Sequence, residues 1–140
     1  MNIHTIWQGN RKFKAISSGN HEVVMDAKAE FGGNNEGSSP MELVLMGLTG
    51  CMGIDVTMIL EKMKMAPAML EIEARGVRED ETPRSLANII LTFHMEGPLN
   101  PAKVWRAIRL SEQKYCSVAH SLKAAIDIRL MLNGEEAAPE

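Results

Sequence analysis

One stretch constrains this chain more than any other: SSPMELVLMGLTGCMGIDVTMIL, running from Ser38 to Leu60. Ser39 fits a helix N-cap, Pro40 the first helical position and Glu42 the third. That is the S-x-x-E capping box, with proline where its missing N–H does no harm. The spacing predicts a helix to about Lys64, stopped by Pro67. At 1.5 Å per residue it would be roughly 37 Å long. Leu43 to Leu60 is apolar on nearly every face, which implies burial all round. Met41 to Leu60 reaches the length of a membrane span, but Glu42, Thr49, Asp55 and Thr57 interrupt it and Lys62 and Lys64 follow at once. A core helix is the better reading, and no membrane partner is expected. Gly47, Gly50 and Gly53 recur every third residue, each at about 1 kcal/mol of helix propensity. The expected compensation is close approach of another backbone, such as a partner helix.

The segments around this helix read as strands and shorter helices. IHTIWQ, KFKAIS and HEVVMDA are short and β-rich, with GN and SSGN between them as turn signals. GGNNEGSS (32–39) reads as a flexible hinge and supplies no phosphate-binding lysine. After the helix, Met69 to Glu79 alternates Leu70, Ile72 and Ala74 with Glu71, Glu73 and Arg75. Ser85 to Gly97 puts Ala87, Ile89, Leu91, Phe93 and Met95 on one face, and EDETPR joins the two as a hairpin loop. Asn100 and Pro101 open a second helix through about Lys114, with Val104, Ala107 and Ile108 inward. CSVAHSL offers one short helical turn or two. Ala124 to Leu132 is a final strand with Ile126, Ile128, Leu130 and Leu132 inward, and NGEEAAPE reads as a frayed acidic tail. The order β-β-β-α-β-β-α-α-β is mixed without regular βαβ alternation, which predicts an α+β fold. A single domain over 1–133 and an acidic C-terminal tail over 134–140 are expected.

Composition narrows the partners. The net charge is −3, with no basic block, so nucleic acid is not an expected partner. MNIHTIWQ carries no charged segment followed by an apolar one, so no export signal is expected and the default compartment is the cytoplasm. In that reducing setting a permanent structural disulfide is disfavoured. Eleven methionines against six aromatics imply a soft aliphatic core.

The chain has two cysteines, the smallest set for reversible thiol chemistry. Cys51 shares its helical face with Gly47, Leu48, Asp55 and Met58. It is either an inert buried thiol or a reactive one that needs a cation nearby, because apolar surroundings raise a thiol's pKa. Cys116 lies in YCSVAHSL, where His120 would share its face if the segment is helical. That makes a Cys116–His120 dyad conceivable, although an exposed polar histidine is the simpler reading. There is no C-x-x-C, and His4, His21, His94 and His120 have no ligand spacing, so neither a metal nor any other cofactor is expected. Arg11, in WQGNRKF, is the cation of most interest, with Arg75, Arg78 and Arg109 behind it.

Taken together, WQGNRKFKA, GGNNEGSSPMELVLMGLTGCMGIDV, LSEQKYCSVAHSL and IDIRLML resemble the OsmC/Ohr family, and within it the YhfA-type branch. The resemblance covers nearly the whole chain. It implies an intertwined homodimer with two long central helices wrapped by antiparallel sheets. It also implies reduction of organic hydroperoxides, with Cys51 as peroxidatic and Cys116 as resolving cysteine. The family glutamate falls on Glu42. The resemblance places the family's thiolate-stabilising arginine, depending on the branch, either just before the central helix, where AKAEFGG has none, or in the N-terminal strand region, where Arg11 is available. The chain departs from the family pattern in C-S-V-A after the second cysteine, and in Asp55, whose charge would oppose a thiolate.

The expectation is a thiol-dependent peroxidase acting in oxidative stress defence. Cys51 and Cys116 would cycle through sulfenate and disulfide, Arg11 would stabilise the thiolate and Glu42 would hold Arg11. Leu48, Met52 and Met58 would help line an apolar pocket, and a dithiol would be the reductant. The alternative is a non-catalytic redox sensor or small-molecule binding module on the same scaffold.

Overall fold

Turn residues and alternation organise the first part of the chain. In this computed structural model, which describes residues 1–139, strands β1 (Ile3–Trp7), β2 (Phe13–Ser17) and β3 (Glu22–Met25) form an antiparallel three-stranded sheet. Trp7 pairs with Phe13, and Phe13 with Met25. Asn10 and Asn20 take positive φ in the two turns, as asparagine does more readily than most residues.

The loop after β3 is closed rather than flexible. Asp26 is only 2 % exposed. Its carboxylate accepts the backbone N–H groups of Ala27 at 2.7 Å and of Asn34 and Glu36 at 3.1 Å each. Burial pushes this carboxyl up, but those three bonds outweigh it and hold Asp26 below the usual carboxylate range. A Cβ at Gly33 would run into the Ala27 carbonyl, and one at Gly37 into that of Val24. The glycines are therefore space requirements of a wrapped turn, which corrects the hinge reading.

Helix α1 (Pro40–Lys62) starts as its sequence dictates. The Ser39 N–H donates to Glu42 Oε1 at 3.0 Å, and the Glu42 N–H donates to Ser39 Oγ at 3.2 Å. The described chain, expected to be one domain, divides into two compact units, Met1–Val44 and Leu45–Glu140.

The second unit contains most of α1 and a four-stranded sheet in the order β4 (Met69–Arg78), β5 (Leu86–Glu96), β6 (Ala125–Leu132), β7 (Glu135–Glu136). β4 and β5 are antiparallel, while β5 and β6 run parallel. A parallel pair needs a long crossover. Here it consists of α2 (Pro101–Leu110), a π-helical turn over Ser111–Tyr115, and α3 (Ser117–Ser121). Asn100 caps α2 by accepting the Lys103 N–H at 3.1 Å. Ile89, Leu91, Phe93 and Met95 of β5 form the core with Leu130 and Leu132 of β6, Val104, Trp105, Ala107 and Ile108 of α2, and Leu48, Met52, Val56 and Leu60 of α1. Each large aliphatic or aromatic side chain removed from water here contributes about 1.5–3 kcal/mol.

Burial of α1 is one-sided in the single chain. The row Leu48–Met52–Val56–Leu60 is buried, but Met46, Ile54 and Met58 are 51 %, 63 % and 52 % exposed. A Cβ at Gly47 or Gly50 would meet nothing within 4 Å. The helix is long and apolar enough to cross a membrane, yet its buried row is seated in a hydrophobic core with sheet and helix residues.

The expected frayed tail is docked in part, while Glu140 lies outside the described residues. Asn133 and Gly134 turn the chain at positive φ. Glu136 pairs with Met131, and its carboxylate accepts from Arg129 at 2.9 Å and 3.1 Å. Trp105 Nε1 donates to the Ala137 carbonyl at 3.0 Å.

Candidate active site around Cys51 and Cys116

The second helix is where the sequence reading and the structure part company, and the difference builds the site. An α-helix through Lys114 would continue the four-residue ladder. Instead the Cys116 N–H donates to the Ser111 carbonyl at 2.8 Å, a five-residue step. This turn buries Ser111 and lets the chain leave the helix at Cys116, which caps α3. There Cys116 Sγ accepts the Ala119 N–H at 3.3 Å and is fully buried.

Cys51 projects from the middle of α1, partly buried, and Asp55 sits one turn further along. The Sγ atoms of Cys51 and Cys116 and a carboxylate oxygen of Asp55 all lie within 4.8 Å of one another. Both thiols are free. Ser111 Oγ donates to Asp55 Oδ2 at 2.9 Å, tying the carboxylate to the π-helical turn.

The two thiols are electrostatically unequal. Burial pushes Cys51 up, and the Asp55 carboxylate adds to that. Hydrogen bonds from the Cys116 thiol, the Val118 N–H and the Ser117 hydroxyl prevail, so Cys51 lies below the ordinary thiol value. Cys116 moves the other way. Burial, then its hydrogen bond to Cys51 and the charge of that neighbour, push it up to about 11. Of the two, Cys51 is the sulfur that gives up its proton more readily, and Cys116 the one that keeps it. This arrangement sets the more acidic thiol, the better candidate for a nucleophile, beside a second sulfur that holds its proton.

Ser117 and Val118 were not singled out in the sequence. The available signal was their place directly after a cysteine at a helix start, where hydroxyls and free N–H groups collect. Helical spacing puts Asp55 on the face of Cys51, where its charge would oppose a thiolate if it faced the sulfur, and the structure does bring its carboxylate beside the sulfur. The donor trio itself has no spacing motif, because Cys116 reaches it only through the fold.

The other candidates are placed as follows. Glu42 is engaged in the Ser39 capping box, whose N–H and hydroxyl bonds hold its carboxyl below the usual range. The Arg11 guanidinium donates to the Asn10 carbonyl at 3.4 Å, and it makes no ion pair with Glu42 among the described residues. Leu48 and Met52 are fully buried in the core, whereas Met58 is on the exposed side of α1. An open groove of about 460 Å³ runs between α1 and β4, lined by Thr49, Gly50, Gly53, Ile54, Thr57, Leu70 and Ile72. His120 is exposed while Cys116 is fully buried, so the structure does not assemble that dyad.

Comparison with known proteins gives a consistent picture. A family model described as OsmC-like protein matches residues 33–131. Protein YhfA of Escherichia coli (strain K12) is 36 % identical over 129 residues, covering 91 % of this chain and 93 % of that protein. The crystal structure of an OsmC like protein from Mycoplasma pneumoniae superposes with a TM-score of 0.81 at 18 % identity, covering 94 % of this chain and 95 % of that one. An organic hydroperoxide resistance protein OsmC from Legionella pneumophila gives 0.66 at 12 % identity, covering 94 % and 96 %. At those identities the two structures speak for the fold alone.

Proposed function

Because the chain belongs to the OsmC-like protein family, with its α+β fold, we propose that it is a thiol-dependent peroxidase that reduces organic hydroperoxides. The observation that supports this most is the unequal pair: a Cys51 thiol lowered by hydrogen bonds beside a Cys116 thiol raised to about 11. The Legionella relative, an organic hydroperoxide resistance protein by name, is in keeping with that chemistry.

In the proposed cycle the Cys51 thiolate attacks one peroxide oxygen. The O–O bond breaks, the sulfur becomes a sulfenic acid, and the alkoxide leaves as an alcohol after taking a proton. Cys116 then attacks the sulfenic sulfur. A disulfide forms and water departs with the Cys116 proton. A dithiol reductant restores both thiols by exchange. Val118 N–H and Ser117 stabilise the attacking thiolate. Arg11 enters the scheme on the family resemblance, as the guanidinium that stabilises the thiolate and polarises the peroxide, with Glu42 holding it. Leu48, Met52 and Met58 enter likewise as contributors of apolar surface. A role in oxidative stress defence in the cytoplasm, as a homodimer, belongs to the same proposal. The exposed row on α1 supports the homodimer, because it is apolar and its Gly47 and Gly50 have room for a second backbone.

A coupled assay tests the enzymatic reading. Purified protein is expected to consume cumene hydroperoxide in the presence of a small dithiol, and Cys51→Ser is expected to abolish it. Absence of Cys51-dependent consumption with any dithiol would end the reading. The second reading is a redox sensor without turnover. The Asp55 carboxylate beside Cys51 favours it, because its charge opposes ionisation of the thiol. One round of thiol loss without sustained consumption would support that alternative.

A further inference from the structure

The peroxide cycle uses two of the three donors that meet at this site and has no use for the third. Asp55 brings a carboxylate to two sulfurs, where its charge opposes the nucleophile. Such a group needs another reason to be aimed there.

Two thiols and a carboxylate from two separate elements make a different kind of set. Cys51 and Asp55 are one helical turn apart on α1, and Cys116 is placed at the start of α3 by its N–H donating to the Ser111 carbonyl and by its sulfur accepting the Ala119 N–H. A tetrahedral zinc ion holds sulfur at about 2.3 Å and carboxylate oxygen at about 2.0–2.2 Å, so its ligand atoms sit roughly 3.5–3.8 Å apart. The three atoms here are within 4.8 Å of one another, so small side-chain rotations close the set. Ser111 Oγ holds only Oδ2 of Asp55. That leaves the other oxygen to coordinate and supplies the outer partner that ligating carboxylates typically have. Two sulfurs exclude the hard cations calcium and magnesium, which are bound through oxygen. They select zinc among the common divalent ions.

We infer that the reduced protein binds one Zn²⁺ ion through Cys51 Sγ, Cys116 Sγ and Asp55, with the fourth position open to water. Binding replaces the two thiol protons by the metal. The same sulfurs cannot hold zinc and form a disulfide, so oxidation must release the ion. With an organic hydroperoxide as oxidant, two thiolates give up two electrons and join as a disulfide. The peroxide takes those electrons and two protons to become alcohol and water, and Zn²⁺ leaves. Only this release by peroxide rests on the proposed function; the binding claim does not.

The test uses the full chain, reduced with a phosphine in metal-free buffer and titrated with Cd²⁺ and Co²⁺. A thiolate-to-cadmium charge-transfer band that saturates at one equivalent is expected, as are four-coordinate Co²⁺ bands that Zn²⁺ removes. Asp55→Asn keeps the side-chain shape, and on the order of tenfold or more of the affinity should be lost. Binding by that variant as tight as wild type would leave only an adventitious dithiolate and overturn the site. A reduced wild-type chain that gives no cadmium band would overturn it as well. One readout needs no variant: Zn²⁺ should slow alkylation of both cysteines by iodoacetamide, and EDTA should restore the rate. An unchanged rate refutes the site. Metal binding without peroxide turnover sinks only the enzymatic proposal, and turnover without metal binding sinks only this one.

Discussion

The sulfurs of Cys51 and Cys116 lie within 4.8 Å of each other, so that the Cys116 thiol can donate to Cys51, and the two are displaced in opposite directions from the ordinary thiol value. Removing the donor should therefore be visible at the acceptor. In Cys116→Ala, the pH at which Cys51 becomes half-alkylated by a bimane probe should rise toward the ordinary thiol value. Cys116→Ser keeps a donor and should show less of that rise. Equal profiles for both variants and the wild type would mean that the donor is irrelevant.

The same pair has a signature in stability. The Cys116 thiol ordinarily titrates near 9.0 and is pushed up to about 11 in the fold. The folded state thus holds this proton more tightly than the unfolded chain does. Its contribution is fully present below pH 9.0 and is lost as pH rises toward 11. The melting temperature of the wild type should fall across that window by more than that of Cys116→Ala. Parallel curves would contradict the burial argument.

At the start of α1, Ser39→Ala removes the hydroxyl that accepts the Glu42 N–H, and about 1 kcal/mol of stability should go with it. Glu42 is held below its ordinary value of 4.5. Its contribution is therefore present above that value and lost as pH falls through the lower folded one. Urea unfolding of the wild type should show that loss in the acidic range, and the gap between it and Glu42→Gln, which cannot ionise, should close there. A gap that stays constant down to pH 3 would argue against the capping box.

Phe93 tests the core of the second unit. It is fully buried in β5 among residues of the core cluster, so Phe93→Ala should cost about 3–5 kcal/mol. Chemical denaturation measures it. A loss below about 1 kcal/mol would mean that the sheet face is poorly packed.

Gly50 separates two environments for the outer row of α1. Facing solvent, Gly50→Ala should stabilise the helix by about 1 kcal/mol. Against a second copy, the added methyl should clash and dissociate the pair. The homodimer proposal expects dissociation in analytical ultracentrifugation, and a more stable chain of unchanged mass would defeat it.

Much of the fold was legible because local chemistry and tertiary structure agree. The Ser39–Pro40–Glu42 start and the inward sets on β5, β6 and α2 were all readable from spacing. What could not be read depended on partners distant in sequence. Asp26 looks like an ordinary strand-end aspartate until the Asn34 and Glu36 N–H groups fold back onto it. The final hairpin is short and acidic, and it is held by Arg129 and Trp105 rather than by its own pattern. Helix α1 promised burial on all sides from composition alone, yet composition does not say whether the cover comes from the same chain. At the site, both cysteines and Asp55 were visible. Spacing did not show that they meet; for the two sulfurs only the family resemblance implied it, since their meeting depends on how α2 ends.

That ending has a structural consequence. Between Ser111 and Tyr115 the backbone spaces its hydrogen bonds one residue wider than an α-helix does. Excising a single residue there would let α2 continue as an uninterrupted spiral, a gain for the helix on its own. Rewinding the same residues at α-helical pitch with none removed would instead swing everything beyond them by about 100°, close to the rotation of one helical residue, and carry Cys116 off its bearing toward Cys51. The molecule keeps a less regular rod, and the irregularity is what aims the second sulfur.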